Sequence, residues 1–219
     1  MEELIHFDQQ LLLSINGSDS LFVDYLVATL TNAKTWIALY IALFYVVLKS
    51  NDTALRVLLV LVGAGLCVLF AGGVDDTIVK PLVARWRPGN DPEIGMLVDT
   101  VDGYRGGKYG FFSAHAANTF SLALYLSMLM RCRRLTVALV IWSLVNCWTR
   151  MYLGVHYPGD ITVGLLWGAL VGYGVYRLYC RLSRPAVYNA ALCDIPIAVL
   201  VFTFIYALIR AAILSHLLF

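Results

Sequence analysis

Residues 53–74 read TALRVLLVLVGAGLCVLFAGGV. After Arg56 no charge follows until Asp75. A helix needs about 20 predominantly apolar residues to cross a bilayer, and this stretch supplies them. The rest of the chain repeats the pattern. Of 219 residues, 60% are hydrophobic and 14% charged, and the mean hydropathy is +0.76. Soluble domains carry about 25% charged residues. The sequence therefore predicts an all-α, polytopic membrane protein, and six spans are expected: 33–48, 53–74, 113–130, 135–152, 160–179 and 193–214. Within the fifth, Gly164, Gly168 and Gly172 recur at every fourth position and offer a smooth face for close helix packing.

No linker or internal repeat divides the chain, so residues 1–219 are read as one membrane-embedded domain. Residues 1–32 mix apolar and polar positions, broken by Asn16, Gly17 and Ser18. They predict two short amphipathic helices at the interface, the second of which could instead lead into the first span. The opening MEELIHFDQQ lacks the basic start of a cleaved signal peptide. The five cysteines lie in or beside apolar runs without CxxC spacing, so they read as small hydrophobes rather than disulfide or zinc partners. No basic stripe is interleaved with aromatics, which argues against a nucleic-acid partner. No obligate protein partner is indicated; membrane lipids are the expected neighbours.

Basic residues gather in alternate connections: Lys49 and Arg56; Arg131, Arg133 and Arg134; Arg177, Arg181 and Arg184. The positive-inside rule puts these in the cytoplasm. The N-terminus, residues 75–112, the stretch around His156 and the C-terminus then face the other side.

Three polar islands fall on that side. The first is VKPLVARWRPGNDP, residues 79–92. Lys80 and Arg87 are seven residues apart, which in a helix is about two turns and nearly one face. Arg85 fits a further cation for an anion or interfacial snorkelling, and Asp75 and Asp76 fit the end of the second span, the favoured reading, or a part of the site. The second island is YGFFSAHAANTF, residues 109–120. Ser113 and His115 stand where the third span begins, and a helix N-terminus suits an anion. Ser113 also fits a plain N-cap. The third is TRMYLGVHYPGD, residues 149–160. Arginine binds phosphate through a bidentate fork. Histidine can attack phosphorus or move a proton. Asp160, four residues after His156, fits either an orienting partner for the imidazole or a helix cap. The glycine-rich residues 102–110 fit a flap over a headgroup or a plain loop.

Together these islands resemble the type 2 phosphatidic acid phosphatase superfamily, which includes glucose-6-phosphatases and vanadium haloperoxidases. The family's lysine, six residues, then Arg-Pro is matched by Lys80 to Arg87-Pro88. Its Pro-Ser-Gly-His becomes Phe112-Ser113-Ala114-His115. Its Ser-Arg, five residues, His, three residues, Asp becomes Thr149-Arg150, His156 and Asp160. Phe112, Ala114 and Thr149 depart from the pattern, and Ala114 loses glycine's access to positive φ.

The resemblance implies a metal-independent lipid phosphatase without cofactor. His156 would be the nucleophile, Asp160 its orienter and His115 the general acid and base. Lys80, Arg87, Ser113, the Ala114 backbone and Arg150 would hold the phosphate. It also implies a bacterial inner-membrane protein with its site facing the periplasm. The Ser-Ala-His-Ala-Ala-Asn form resembles that of Bacteroidetes-type envelope enzymes, which favours undecaprenyl diphosphate or a lipid A phosphate as substrate. Phosphatidylglycerol phosphate or phosphatidic acid, and a non-catalytic lipid-binding or transport protein on the same fold, stand as alternatives.

Overall fold

The computed structural model describes residues 2–217. The order is α1 (Glu2–Leu13), α2 (Leu21–Thr31), a 3-10 turn (Ala33–Trp36), α3 (Ile37–Ser50), α4 (Ala54–Val68) and α5 (Lys80–Val83). Then come α6 (Ala114–Met130), α7 (Arg133–Tyr152), α8 (Pro158–Leu182) and α9 (Ala190–Leu217). Among the described residues the fold is all-helical, and the extended backbone pairs only at an isolated bridge between Trp86 and Tyr109.

Four helical stretches are long and apolar enough to cross a membrane: Ala33–Ser50, Ala54–Val83, Pro158–Leu182 and Ala190–Leu217. The shorter α6 and the arginine-flanked α7 pack among them. The second span outruns its expected end. α4 continues through two π-helical turns, Leu69–Gly73 and Asp75–Val79, into α5. Asp75 and Asp76 therefore do not terminate it. Asp75 is fully buried and pairs with Lys80 at 2.9 Å, so the helix can carry it onward.

Between apolar helices in lipid, close packing does the work that water exclusion does elsewhere. The glycine face of α8 shows how. A Cβ on Gly164, Gly168 or Gly172 would meet the backbone oxygens of Ser113, Ala117 and Ser121 at 2.8, 2.5 and 2.6 Å. The α8 face lies directly on the α6 backbone, in parallel register, as the four-residue glycine spacing predicts.

The N-terminal helices differ from each other. α1 turns Leu4, Ile5, Phe7 and Leu11 outward and buries Asp8, Gln9 and Leu12. That suits a helix with protein on one side and lipid on the other. α2 instead packs against α7 and α9 and leads through the Ala33–Trp36 turn into α3. There Trp36 meets Trp142 of α7 and Phe204 of α9 edge-on at 5.9 and 5.6 Å. The basic connections share one end of the bundle: Asn51 donates to the Tyr188 hydroxyl at 3.3 Å, and Arg134 pairs with Asp194 at 3.1 Å. The three polar islands share the other.

Candidate active site

The α6–α8 register sets the two helix N-termini side by side at the polar end. The Ser113 N–H donates to the Asp160 carbonyl at 3.2 Å. Ser113 caps α6 by accepting the Ala116 N–H at 3.4 Å. Ala114 follows as the first residue of α6, in ordinary helical conformation, so alanine fits there without a positive φ. The α6 N-terminus presents free N–H groups, and the two aligned helices point two positive dipole ends to one spot.

His156 reaches this spot from a turn, not from a helix. α7 ends at Tyr152, and Gly154 turns the chain at φ +61°. A side chain at Gly154 would strike Val98 Cγ1 at 2.3 Å. The Val155 N–H then donates back to the Arg150 carbonyl at 3.1 Å. His156 is 1% exposed. Its Nε2 lies 3.4 Å from Arg87 Nη1 and its Nδ1 lies 3.6 Å from Asp160 Oδ2. The latter is beyond hydrogen-bond reach. Burial, and then the cations Arg87, Arg150 and Lys80, hold the imidazole pKa well below its ordinary value. Neutral at physiological pH, the ring keeps a lone pair for attack.

Asp160 sits in the first turn of α8, where Oδ2 accepts the Tyr157 N–H at 3.0 Å and Oδ1 accepts from Arg85 at 2.7 Å. The capping reading and the orienting reading therefore meet in one carboxylate. Arg85 does not snorkel. It bridges Asp160 and Asp8, the latter at 2.6 Å, and lies 4.2 Å over the Tyr157 ring.

Lys80 and Arg87 are not joined by two turns of helix. Ala84 takes a left-handed conformation and ends α5. Pro88 favours an extended Arg87, which has ψ 150°. Segment 85–87 instead pairs with 108–110, through Arg87 N–H to the Lys108 carbonyl at 3.1 Å and Gly110 N–H to the Arg85 carbonyl at 2.9 Å. Arg87 Nε donates to the Tyr109 carbonyl at 3.0 Å. Burial, followed by Arg150, lowers the Arg87 pKa. Lys80 is held between Asp75 and Asp76, and Asp75 also accepts the Phe112 N–H at 3.0 Å. That bond ties the end of the second span to the residue before Ser113.

Arg150 is buried in α7. Its Nη1 donates to Thr31 Oγ1 at 2.6 Å, while its Nε has no partner among the described residues. Thr149, beside it, donates to the Asn146 carbonyl at 2.7 Å; its hydroxyl serves the helix. A cavity of about 280 Å³ opens here, lined by Thr31, Asp102, Tyr104, His115 and Arg150 among others. His115, in the first turn of α6, is exposed to it. The structure thus brings His156, His115, Asp160, Ser113, Arg87 and Arg150 to one end, with Lys80 behind its carboxylates. Sequence reading missed Asp8, Thr31 and Tyr104, and it favoured other roles for Asp75 and Arg85 over the site roles it also allowed. Among the several polar residues of the amphipathic α1 nothing singled out Asp8, and Thr31 offered no signal.

The chain matches the PAP2 superfamily over residues 53–184, a span that contains all three polar islands. It belongs to that family. It is similar to the lipid A 4'-phosphatase of Bacteroides thetaiotaomicron, 40% identical over 185 residues, or 84% of this chain and 81% of that protein. It is also similar to the lipid A 4'-phosphatase of Porphyromonas gingivalis, 36% identical over 182 residues, or 82% and 75% of the two chains. The undecaprenyl-diphosphatase of Bacillus subtilis is 35% identical over 122 residues, or 55% of this chain and 61% of that one. No solved structure matches the chain. As a PAP2 enzyme it is a hydrolase of lipid phosphates, and the resemblance read from Lys80–Arg87, Ser113–His115 and Arg150–His156–Asp160 identified the right family.

Proposed function

We propose that this PAP2 enzyme removes a phosphate monoester from lipid A through a phosphohistidine, at the periplasmic face of a bacterial inner membrane. The observation that carries the mechanism is the buried His156 ring at two aligned helix N-termini, with Nε2 toward Arg87 and Nδ1 toward Asp160. Similarity to lipid A 4'-phosphatases over more than four-fifths of the chain supports the substrate. The clustering of basic residues at the opposite end supports the orientation.

The Nε2 lone pair attacks phosphorus. The bond from phosphorus to the lipid oxygen breaks, and that oxygen takes a proton from His115, which gains it once the negative charge of the bound phosphate offsets Arg150 and the other cations beside the ring. Asp160 stabilises the cationic phosphohistidine. Water then attacks phosphorus, giving its proton to His115 and releasing inorganic phosphate and His156. Arg87, Arg150, the Ser113 hydroxyl and the N–H groups at the start of α6, including that of Ala114, face the charge that develops on the phosphoryl oxygens, with Lys80 more remote. Such preorganised donors usually supply the largest share of catalysis. No step calls on a metal ion or cofactor.

The test is phosphate release in detergent micelles containing EDTA, from lipid A and undecaprenyl diphosphate side by side. The expected result is faster release from lipid A, and a loss of roughly 10⁴-fold or more in kcat for His156→Ala. Preference for undecaprenyl diphosphate would reassign the substrate. Near-normal release by folded His156→Ala would sink the mechanism.

A further inference from the structure

The proposed phosphohistidine chemistry places no reacting group on α1, and residues 2–13 lie outside the span that matches the family. Yet α1 reaches the site. Asp8 is 9% exposed. Its Oδ2 pairs with Arg85 Nη2 at 2.6 Å, and Arg85 Nη1 pairs with Asp160 Oδ1 at 2.7 Å. Its Oδ1 accepts the Gly159 N–H at 2.7 Å, one of the free donors at the start of α8. A Cβ on Gly159 would come within 2.7 Å of Asp8 Oδ2, so the glycine leaves room for the carboxylate. Leu12, in a shared cluster with Ile94, Val98 and Tyr157, and Gln9, donating to Glu93 at 3.2 Å, anchor the helix on either side.

From this geometry we infer that Asp8 is a positioning residue for catalysis, acting through Arg85 on Asp160 and so on His156. The inference rests on the phosphohistidine reading above. Its physical basis is charge. Asp160 alone is a buried anion; Arg85 orients it but also cancels it. With Asp8 on the far side of Arg85, the three groups sum to one negative charge facing the imidazole. Without Asp8 they sum to zero, and the cationic phosphohistidine loses its counter-charge. The other charged or titratable groups around His156 are the cations Lys80 of α5, Arg87 and Arg150 of α7 and, on α6, the titratable His115. Those that carry a fixed charge are cations, so the sign of the Asp8–Arg85–Asp160 group matters.

Asp8→Asn keeps an oxygen for Gly159 and removes the charge. It is compared with wild type, Asp8→Glu and His156→Ala on lipid A and undecaprenyl diphosphate in micelles, as kcat and KM against pH, with thermal unfolding followed in the same detergent. The expected result is a kcat lower by roughly 10- to 100-fold, the scale of loss known when groups that orient a metal-bound histidine are removed. KM stays near wild type, and the acid limb moves to lower pH because His156 protonates less readily. Asp8→Glu recovers much of kcat and the position of the limb. If Asp8→Asn loses activity only in step with its folded fraction, with an unmoved limb, the role is structural and the inference falls. An Asp8→Asn enzyme with wild-type kcat and limb overturns it too, while a dead His156→Ala leaves the phosphohistidine reading standing. An active His156→Ala removes that reading, and the inference with it.

Discussion

Positive charge is held in two ways at the end of this bundle that carries the candidate site. Lys80 and Arg85 each lie between two carboxylates, Asp75 with Asp76 and Asp8 with Asp160. Arg87 and Arg150 have no carboxylate within ion-pair distance among the described residues; carbonyls and a threonine hydroxyl hold them. A buried cation without an anion is costly. A phosphate is the natural remedy. The paired cations are neutralised by the protein itself, and the unpaired ones are left for an anion from outside it, as the proposed function requires. Motif spacing groups Lys80 with Arg87, but their environments separate them.

The strongest attempt to break this comparison is removal of an unpaired cation. Arg87→Ala or Arg150→Ala should lower kcat by roughly 10²- to 10³-fold, the range for one donor aimed at developing charge. Thermal stability in detergent should hold or rise, because an uncompensated charge has gone. A loss of stability matching the loss of rate would show that these arginines are structural after all.

On the paired side the balance reverses. Lys80→Met should destabilise the protein by roughly 3 kcal/mol, because Asp75 is left as a buried, uncompensated charge. Adding Asp75→Asn should restore much of that stability, read as a positive coupling in a double-mutant cycle of unfolding. Additive losses would mean that the Lys80–Asp75 contact carries no energy.

Acidity sharpens the comparison further. Burial, and then the unpaired cations, depress the His156 pKa, so His156 stays neutral as the pH falls through the ordinary histidine value. The acid limb of kcat/KM should therefore lie below about 6.5, the unperturbed value. A limb at or above that pH would count against neutral His156 as the nucleophile.

The smallest expected effect is at Thr31. Thr31→Val removes the acceptor for Arg150 Nη1 while keeping the side chain's shape. A neighbouring phosphate can take up the freed N–H, so kcat should fall only several-fold, on the scale of roughly 1 kcal/mol for one hydrogen bond. A loss as large as that for Arg150→Ala would mean that Thr31 itself holds Arg150 in place.

Much of this molecule is legible without coordinates. Apolar stretches such as residues 53–74 announce membrane helices, and the Gly164–Gly168–Gly172 spacing announces a close-packed face. Ser113 reads correctly as an N-cap. What failed to read was whatever depended on where a helix stops. The interval from Lys80 to Arg87 fits two turns on paper, but Ala84 ends the helix and Pro88 draws Arg87 into extended backbone. Asp75 looked like a span terminus because a charge in lipid is costly. Its partner Lys80 sits on the same helix, yet i,i+5 pairing becomes favourable only through the π-helical turns between them.

The sequence by itself determined the all-helical membrane class and the family, and it nominated the candidate site residues, because hydrophobic runs and motif spacing are local properties of the chain. Tertiary structure alone decided which cations are free and which are neutralised. It also decided that a helix at the N-terminus reaches Asp160, 152 residues further along the chain. Both depend on contacts between distant segments: a carboxylate's partner is chosen by proximity in space, and no spacing along the chain records it.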